Sequence, residues 1–399
     1  MISKQPTGST KSPLEGVVVA DFSRVLAAPL TTMMLGDLGA DVIKIERPGK
    51  GDETRSWGPP FTGDGQSAYY LATNRNKKSI TLDLNDEDQC AQARSIALSS
   101  DVVIENFRAD TMQGFGLDYD SLKTDNPGLV YCRVSGFGNK LGRDLPGYDF
   151  MAQALSGLMS ITGDPAGSPM KTGVAIVDVV TGLHATIGIL AALFERQRTQ
   201  LGQMIEVNLF SSALASLANQ ASSYLAAGVV PTRMSNQHPN IAPYETFATA
   251  TTAIVITVGT DDQFRQLCIV LGVEHLAEDA RWSTNADRVL NRDGLIEELE
   301  AMLSARPCDH WLNELRKHDV PCAPVNDIQQ AFVLAEQLGL DAVQELLRED
   351  GSGISTVSNP IDFSRTPVSY RLAPPDLGAD TDRVLEWLSS IGGATSPEK

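Results

Sequence analysis

The chain has 399 residues, 42% of them hydrophobic and 21% charged, which is ordinary for a globular protein and long enough for two domains of about 150 residues each. The formal net charge of −18 argues against a nucleic-acid partner, because an acidic surface repels phosphate backbones. No stretch approaches the roughly 18 uninterrupted apolar residues that a membrane-spanning helix requires, so no membrane partner is expected.

The cysteines and the N-terminus indicate a reducing compartment. The five cysteines are odd in number, widely spaced and without a CxxC pair, which argues against a disulfide framework or a zinc site. The polar segment from Met1 to Pro13 lacks the apolar core of a signal peptide and is expected to be a loose tail. We therefore expect a cytoplasmic protein without a resident metal.

The first third of the chain alternates predicted strands with predicted helices. Pro29 stands at a favourable first helical position and Gly39 at the stop of the first helix. This alternation predicts an α/β fold, a Rossmann-like and mostly parallel sheet with helices on both faces. The short apolar runs that predict strands are 17–22, 41–46, 80–84, 101–105 and 129–135.

The middle of the chain, from about 150 to 227, is rich in Ala, Ser, Gly and Leu and is predicted to be helical. Within it, apolar residues recur at helical spacing between Gly182 and Phe194, which predicts a buried helix. Gly182, Ala185 and Gly188 form a small-residue face on this helix, which lets another backbone approach closely.

The composition changes near Gly228, where a loop with three prolines begins. A strand predicted at 253–258 and the helices after it indicate a smaller α+β domain. The predicted ranges are a large α/β domain at 1–227, a small domain at 228–335 and a C-terminal segment at 336–399 that returns to the large domain.

Several common motifs are missing. The chain has no GxGxxG after its first strand, so the dinucleotide-binding fingerprint fails although the topology would suit it. It also lacks GxxxxGK[ST], GxSxG and HExxH, and its five histidines show no metal-ligand spacing.

One carboxylate, Asp178, lies in the otherwise apolar run from Val174 to Val180. A buried carboxylate without a partner is costly, so such a residue usually has either a partner or a chemical task. Asp178 could cap the following helix by accepting backbone N–H groups, which the pattern alone favours, or it could act in catalysis. The two roles are compatible. A second acid, Asp149, precedes the helical middle and on its own would be interpreted as a surface residue.

A group of basic residues stands out in this acidic chain. It is either a solvated basic face or a patch that binds a small anion. Its members are Lys44, Arg47, Lys50, Arg55, Arg75, Lys77 and Lys78.

Six segments, in order over nearly the whole chain, match one protein family. They are LEG at 14–16 with VADFSRVLAAP at 19–29, GADVIKIERP at 39–48, NKKSITLDL at 76–84, DVVIENFR at 101–108, Tyr148-Asp149 with Gln153, and VPCAPVND at 320–327. Together these segments resemble the family III CoA-transferases, whose fold is shared with the α-methylacyl-CoA racemases.

The resemblance implies a role for both acids. It places the family's catalytic aspartate at Asp178, whose carboxylate would attack an acyl-CoA thioester, form a mixed anhydride and then an enzyme–CoA thioester. An apolar pocket suits this chemistry, because a carboxylate is a weak nucleophile while it is hydrated. Asp149 falls where the transferases carry an acid that assists near the nucleophile. Family members form interlocked dimers, so a homodimer is expected.

The resemblance also implies a path for CoA, which is a substrate here and not a permanently bound cofactor. Leu26 and Ala27 would contact the nucleotide and Arg47 its phosphates, which favours the basic group as a phosphate site. The residues expected to bind CoA are Leu26, Ala27, Arg47, Leu82, Asp83, Leu84, Asn85, Asn106, Phe107, Arg108 and Tyr148.

The chain departs from the family pattern at three places. The racemases use a histidine at the position of Tyr148, whose phenol is a far weaker base at neutral pH, so racemization is disfavoured. Gly114 stands where some transferases carry an arginine. The glycine-rich lid loop of the formyl-CoA enzyme is replaced by the segment 237–245, which looks more like the members that use succinyl-CoA and dicarboxylates.

The leading hypothesis is therefore CoA transfer between carboxylic acids, with succinyl-CoA and a C4 or C5 dicarboxylate as the expected pair. The alternatives are an acyl-CoA racemase or epimerase of the same fold, a non-catalytic CoA-binding protein in which Asp178 is only a cap, and a nicotinamide-dependent oxidoreductase. The missing glycine fingerprint argues against the last.

Overall fold

The computed structural model describes residues 12–348 and 350–392. Most of the predicted N-terminal tail therefore lies outside the described residues. The chain divides into two compact units, of which the first comprises the chain up to Leu158, Thr172–Gly228 and the chain from Asp341. The second unit comprises Met159–Lys171 and Val229–Leu340, so it includes 159–171, which lie in the predicted large domain, and 336–340, which lie in the predicted C-terminal segment. The predicted domain ranges stay a prediction.

Eleven strands lie within the described residues. In chain order they are β1 (Val18–Asp21), β2 (Asp41–Glu46), β3 (Lys77–Thr81), β4 (Val102–Glu105), β5 (Val130–Ser135), β6 (Met204–Asn208), β7 (Tyr244–Phe247), β8 (Ile254–Thr257), β9 (Cys322–Pro324), β10 (Val343–Leu347) and β11 (Gly353–Val357).

Sixteen α-helices lie within the same residues. They are α1 (Ala27–Asp37), α2 (Ala68–Leu71), α3 (Glu87–Leu98), α4 (Thr111–Gly114), α5 (Tyr119–Leu122), α6 (Asp149–Leu155), α7 (Ile176–Thr199), α8 (Leu209–Ser216), α9 (Ala218–Ala227), α10 (Asp261–Leu271), α11 (His275–Glu278), α12 (Asn285–Leu290), α13 (Arg292–Leu303), α14 (Cys308–Lys317), α15 (Ile328–Gln337) and α16 (Thr381–Gly392).

The first unit is built on a six-stranded sheet in the order β3-β2-β1-β4-β5-β6, and every neighbouring pair is parallel. The chain winds outward from β1 to β3 and then returns to β4 on the other side of β1. Such a reversal leaves a crevice at the carboxyl ends of β1 and β4, where open α/β sheets bind their ligands. The predicted α/β class is confirmed, and the sheet is fully parallel.

Both faces of the sheet are covered because its strands are apolar on both sides. Val19 on β1 packs with Leu35 of α1 and Ile189 of α7. Its neighbour Ala20 points to the opposite face and packs with Ile96 of α3. This alternation is the two-residue period of a strand, and it explains why the predicted runs were continuous rather than alternating.

Two strands differ from the sequence prediction. β3 begins at Lys77, three residues before the predicted start, since the buried polar side chains of Lys77 and Ser79 concealed it. β6 interrupts the middle segment that was predicted to be helical throughout. It is a short edge strand, with Ile205 packed against the core and Glu206 exposed, so it gives a weak pattern.

Helix α7 was predicted to be buried, but it is buried on one side only. The small-residue face lies inward, and a Cβ on Gly182 would be 2.6 Å from the carbonyl oxygen of Ala27 in α1. The opposite side exposes Leu183, Ile187 and Phe194. By length and composition α7 could cross a membrane, but the core helix of a globular unit passes the same test, so this is weak evidence.

The second unit contains the antiparallel sheet β7-β8-β9, with helices packed on its apolar side. Ile254 and Ile256 on β8 pack with Phe264 and Leu267 of α10 and with Leu299 of α13. This agrees with the predicted α+β character of that part of the chain.

The close approach of α7 to α1 predicts that Gly182→Ala destabilises the protein. The added methyl group would meet backbone, which cannot rotate away, so we expect a loss of about 1–3 kcal/mol in the free energy of unfolding. Urea unfolding measures it. Gly114→Ala is the control, because a Cβ there meets nothing within 4 Å. Equal effects of the two substitutions would contradict the packing argument.

Candidate active site

Two clefts open at the carboxyl ends of the parallel strands. The first cleft, of about 590 Å³, is lined by the loops after β1, β4 and β5 and by the beginnings of α6 and α7. The second cleft, of about 690 Å³, is lined by the loops after β1, β2, β3 and β4. Arg24, Glu53 and Phe107 line both clefts, so the two meet at these residues.

The residues predicted to act on CoA are distributed over these two clefts. The first cleft is lined by Leu26, Ala27, Asn106, Phe107, Arg108, Tyr148, Asp149 and Asp178. The second cleft is lined by Arg47, Leu82, Asp83, Leu84 and Asn85, together with Phe107.

Asp178 is the third residue of α7 and lines the first cleft. Burial, and after it the charge of Asp149, together raise the pKa of its carboxyl to about 7. Among the described residues, no group donates a hydrogen bond to the Asp178 carboxylate. Its charged form therefore lacks the partners that a structural carboxylate normally has.

Asp149, on α6, is the residue that caps α7. The backbone N–H groups of Val177 and Asp178 donate to its Oδ1 at 2.8 and 3.2 Å. Gln153 donates from Nε2 to Oδ2 at 2.6 Å, and its own Oε1 accepts the N–H of Thr172 at 3.0 Å. The interpretation of Asp178 as the cap of its own helix is therefore wrong, because the cap comes from another helix.

The cap has an electrostatic consequence for Asp178. A helix N-terminus ordinarily stabilises an anion in its first turn and lowers its pKa. Here Asp149 accepts the hydrogen bonds of the N–H groups that could stabilise the Asp178 carboxylate, and it adds a negative charge beside Asp178. Asp178 is thus both desolvated and repelled, which is the environment of a reactive group more often than of a structural one.

A contact between two glycines positions this cap. A Cβ on Gly136, just after β5, would lie 2.5 Å from the Cα of Gly147, and the converse holds for Gly147. Only glycine allows the two backbones to approach so closely. The contact fixes the segment that leads into Tyr148 and Asp149 against the end of β5.

Two aromatic residues near the acids were not predicted. Tyr69 lies close enough to the two acids that, after burial, the charges of Asp178 and Asp149 raise the pKa of its phenol. Its ring packs edge-on against Trp57 at 5.1 Å between centroids, and Trp57 lines the first cleft. Neither residue belongs to a pattern that sequence reasoning could have selected.

The seven basic residues do not assemble into one phosphate site. Lys44 pairs with Asp52 at 3.0 Å, and Arg75 pairs with Asp37 at 2.6 Å. The other paired members are Arg55 with Glu46, Lys77 with Asp21 and Lys78 with Asp41. Only Arg47 and Lys50 line the second cleft, and within the described part of the chain neither is in an ion pair.

The buried pairs shape the loop after β1. Lys44 donates to the carbonyl of Ser23 at 2.8 Å, and Asp52 accepts the N–H of Val25 at 3.2 Å. Val25 has a φ of 73°, a left-handed conformation that is strained for a β-branched residue. Strong buried partners thus hold a costly backbone conformation directly before Leu26 and Ala27.

The loops after β1 and β4 are tied together by Asn106. Its Oδ1 accepts the N–H of Arg24 at 2.9 Å, and its Nδ2 donates to the Arg24 carbonyl at 2.7 Å. The guanidinium of Arg24 also stacks on the ring of Phe107 at 4.7 Å. The walls of the two clefts are therefore fixed relative to each other.

The departures from the family pattern have distinct surroundings. Tyr148 is 62% exposed at the mouth of the first cleft. Gly114 ends α4, with open space where a side chain would point. The segment 237–245 lies in the second unit, where the buried Arg292 donates to the His238 carbonyl at 2.6 Å.

This fold and site define a class: a Rossmann-like α/β enzyme with a desolvated carboxylate beside clefts at the switch point of its sheet. The family model described as CoA-transferase family III matches residues 14–381, and the chain belongs to that family. It is a CoA-transferase acting on acyl-CoA.

Curated relatives and solved structures match nearly the whole chain. A succinate–glutarate CoA-transferase of Agrobacterium fabrum is 42% identical over 97% of this chain and 98% of the relative. The human succinyl-CoA:glutarate CoA-transferase is 38% identical over 94% and 85%. The crystal structure of a CAIB/BAIF family protein from Brucella suis superposes with a TM-score of 0.85 at 40% identity, covering 95% of this chain and all of that one.

The raised pKa of Asp178 predicts a pH-dependent cost to stability. An unfolded aspartate has its ordinary pKa near 4, so between about pH 4 and 7 the unfolded state binds fewer protons than the folded one. Stability therefore falls as pH rises through that interval. Allowing for partial solvent access, Asp178→Asn should stabilise the chain by about 1–3 kcal/mol at pH 8, and by less at pH 5.5.

Urea unfolding at the two pH values measures this difference. Asp88→Asn, at an exposed acid in the first turn of α3, is the control. Its effect on the free energy of unfolding should be the same at both pH values. A gain from Asp178→Asn that is equal at pH 5.5 and pH 8 would contradict the assigned environment.

Proposed function

We propose that the protein transfers CoA from succinyl-CoA to a small dicarboxylic acid, with Asp178 as the nucleophile. The observation that carries the proposal is the desolvated Asp178 carboxylate on the wall of the first cleft. The substrate pair is supported by the names of the relatives, which include succinate–glutarate and succinyl-CoA:glutarate CoA-transferases.

The reaction proceeds through covalent states of Asp178. A carboxylate oxygen of Asp178 attacks the thioester carbonyl, the C–S bond breaks, and CoA leaves as a thiolate while a mixed anhydride forms. The thiolate then attacks the aspartyl carbonyl, which releases succinate and leaves Asp178 as a CoA thioester. The acceptor carboxylate attacks that thioester to form a second anhydride, and the thiolate attacks its acyl carbonyl to give the new acyl-CoA and free Asp178.

The surroundings of Asp178 favour these steps. A buried carboxylate keeps little of the hydration that would otherwise mask its lone pairs. Conversion to an anhydride or a thioester removes its charge, so the cost of burial and the repulsion from Asp149 are relieved on acylation. Asp149 acts through position and charge, because its own oxygens are engaged by the α7 amides and by Gln153.

Racemization of a 2-methylacyl-CoA is the alternative on this fold, and no residue that the structure describes in the first cleft favours it. It would need a second group that exchanges a proton with the α-carbon. At the position where the racemases use a histidine for this step, the chain has Tyr148, an exposed phenol at the mouth of the first cleft.

The central test is transfer by variants of Asp178. With succinyl-CoA and glutarate, Asp178→Ala should lose at least about 10³-fold in kcat, because it removes the group that forms every covalent state. Formation of glutaryl-CoA, followed by mass spectrometry, is the readout. Asp88→Ala, the same type of residue in the first turn of α3, is expected to match the wild type. Transfer by Asp178→Ala at the wild-type rate would refute the proposal.

We further propose that the protein works as a homodimer. The apolar stripe on α7 formed by Leu183, Ile187 and Phe194 is 39%, 63% and 65% exposed. A second copy of the chain is the occupant proposed for it, since the family resemblance implies a dimer and exposed apolar helix faces favour association.

Light scattering at micromolar concentration tests the dimer. Ile187→Glu places a charge in the stripe and should shift the wild-type dimer to monomer. Leu290→Glu, which replaces a leucine that is 82% exposed on α12, should leave the mass unchanged. A monomeric wild type, or an unchanged dimer in Ile187→Glu, would contradict the assignment.

A further inference from the structure

Arg24 occupies a particular place between the two clefts. It belongs to the loop after β1 and, with Glu53 and Phe107, is one of three residues that line both clefts. The backbone of Arg24 is held on both sides by Asn106, and its guanidinium lies 4.7 Å from the centre of the Phe107 ring. The cation is therefore fixed at the junction of the clefts.

The hydrogen bonding of Arg24 is incomplete. Its Nη1 donates to Glu53 Oε1 at 2.5 Å, but the two side chains are 40% and 47% exposed. A pair that exposed is worth little, so a stronger anion can displace Glu53 at small cost. The Nε atom of Arg24 is buried and has no hydrogen-bond partner within the described residues. An arginine presents its donors as a fork that matches phosphate oxygens.

The covalent structure of CoA determines which of its groups lies at this junction. CoA joins its adenosine end to its thiol arm through a diphosphate. The proposed function puts the thioester at Asp178, in the first cleft, and the family resemblance implies a phosphate contact at Arg47, in the second. A CoA molecule that reaches both places passes the junction at Arg24. We infer that Arg24 binds the diphosphate of acyl-CoA and that Glu53 is the partner it releases on binding. This inference rests on the proposed function.

Other cations of the clefts are less suited to this contact. Arg133 donates from Nε to Glu105 at 2.9 Å, and Arg143 is paired with Asp110. Arg108 lines only the first cleft and Arg47 only the second. In addition, α1 begins at Ala27, which lines the first cleft, and no side chain caps this helix, so its N-terminal amides add positive potential there.

Calorimetric binding of three ligands tests the inference without requiring turnover. The ligands are CoA, 3′-dephospho-CoA, which keeps the diphosphate, and pantetheine, which has no phosphate. Arg24→Gln should weaken CoA and dephospho-CoA alike by about 10- to 100-fold and leave pantetheine unchanged, because a charged hydrogen bond is lost. Arg24→Lys should recover part of the loss, and Glu53→Gln should tighten CoA by a few-fold.

Three other binding results would each overturn the inference. Equal weakening of pantetheine would mean that Arg24 only supports the loop, and weakening confined to CoA would place Arg24 on the 3′-phosphate. Either outcome overturns the inference, as does unchanged binding in Arg24→Gln. Arg94→Gln, which breaks an exposed pair with Asp125, is the control and should bind all three ligands as the wild type does. If the wild-type protein binds CoA but does not transfer it, the proposed function is contradicted, while the binding test of Arg24 still holds.

Discussion

The hydrogen bonds from the first amides of α7 to Asp149 are the interaction on which the site depends. They satisfy the helix N-terminus from outside, so the helix needs no cap of its own at Ala175. They also withhold from Asp178 the donors that would stabilise its charge, and they fix a second negative charge beside it. The same two bonds thus order the start of α7 and hold in place the Asp149 charge that, after burial, raises the pKa of Asp178 to about 7.

The clefts around Asp178 depend on a second set of constraints, the buried ion pairs beneath the loop after β1. Lys44, Asp52, Lys77 and Asp21 are almost fully buried, and each is hydrogen-bonded as well as paired. Buried pairs of this kind add little net stability, but removing one partner leaves an uncompensated charge. Their role here is geometric, since they hold Val25 in a strained conformation at the wall of the first cleft.

The same pairs explain why one sequence prediction was wrong. Seven cations that are close in sequence suggested a phosphate patch, yet five of them point into ion pairs. Sequence proximity does not show which side of a strand or loop a side chain occupies. Most of the acids that neutralise these cations come from other strands and helices, such as Asp37 at the end of α1.

The fold was more predictable than the site. Four of the six parallel strands lie within one residue of their predicted starts, because continuous apolar runs mark strands buried on both faces. Edge strand β6 was missed, since a half-exposed strand has a weak pattern. The acids Asp178 and Asp149 were identified in sequence, but their relation was not, because a cap from another helix leaves no local signal. Trp57, Tyr69 and Arg24 belong to the site only through tertiary contacts.

The covalent role of Asp178 can be tested by trapping its acyl state. The protein is incubated with succinyl-CoA and quenched with hydroxylamine, and the modified peptide is mapped by mass spectrometry. A hydroxamate on Asp178 is expected, because hydroxylamine attacks the aspartyl carbonyl of the anhydride or the CoA thioester. A protein that transfers CoA while carrying no label, or carrying the label on Asp149, would contradict the assignment of Asp178 as the nucleophile.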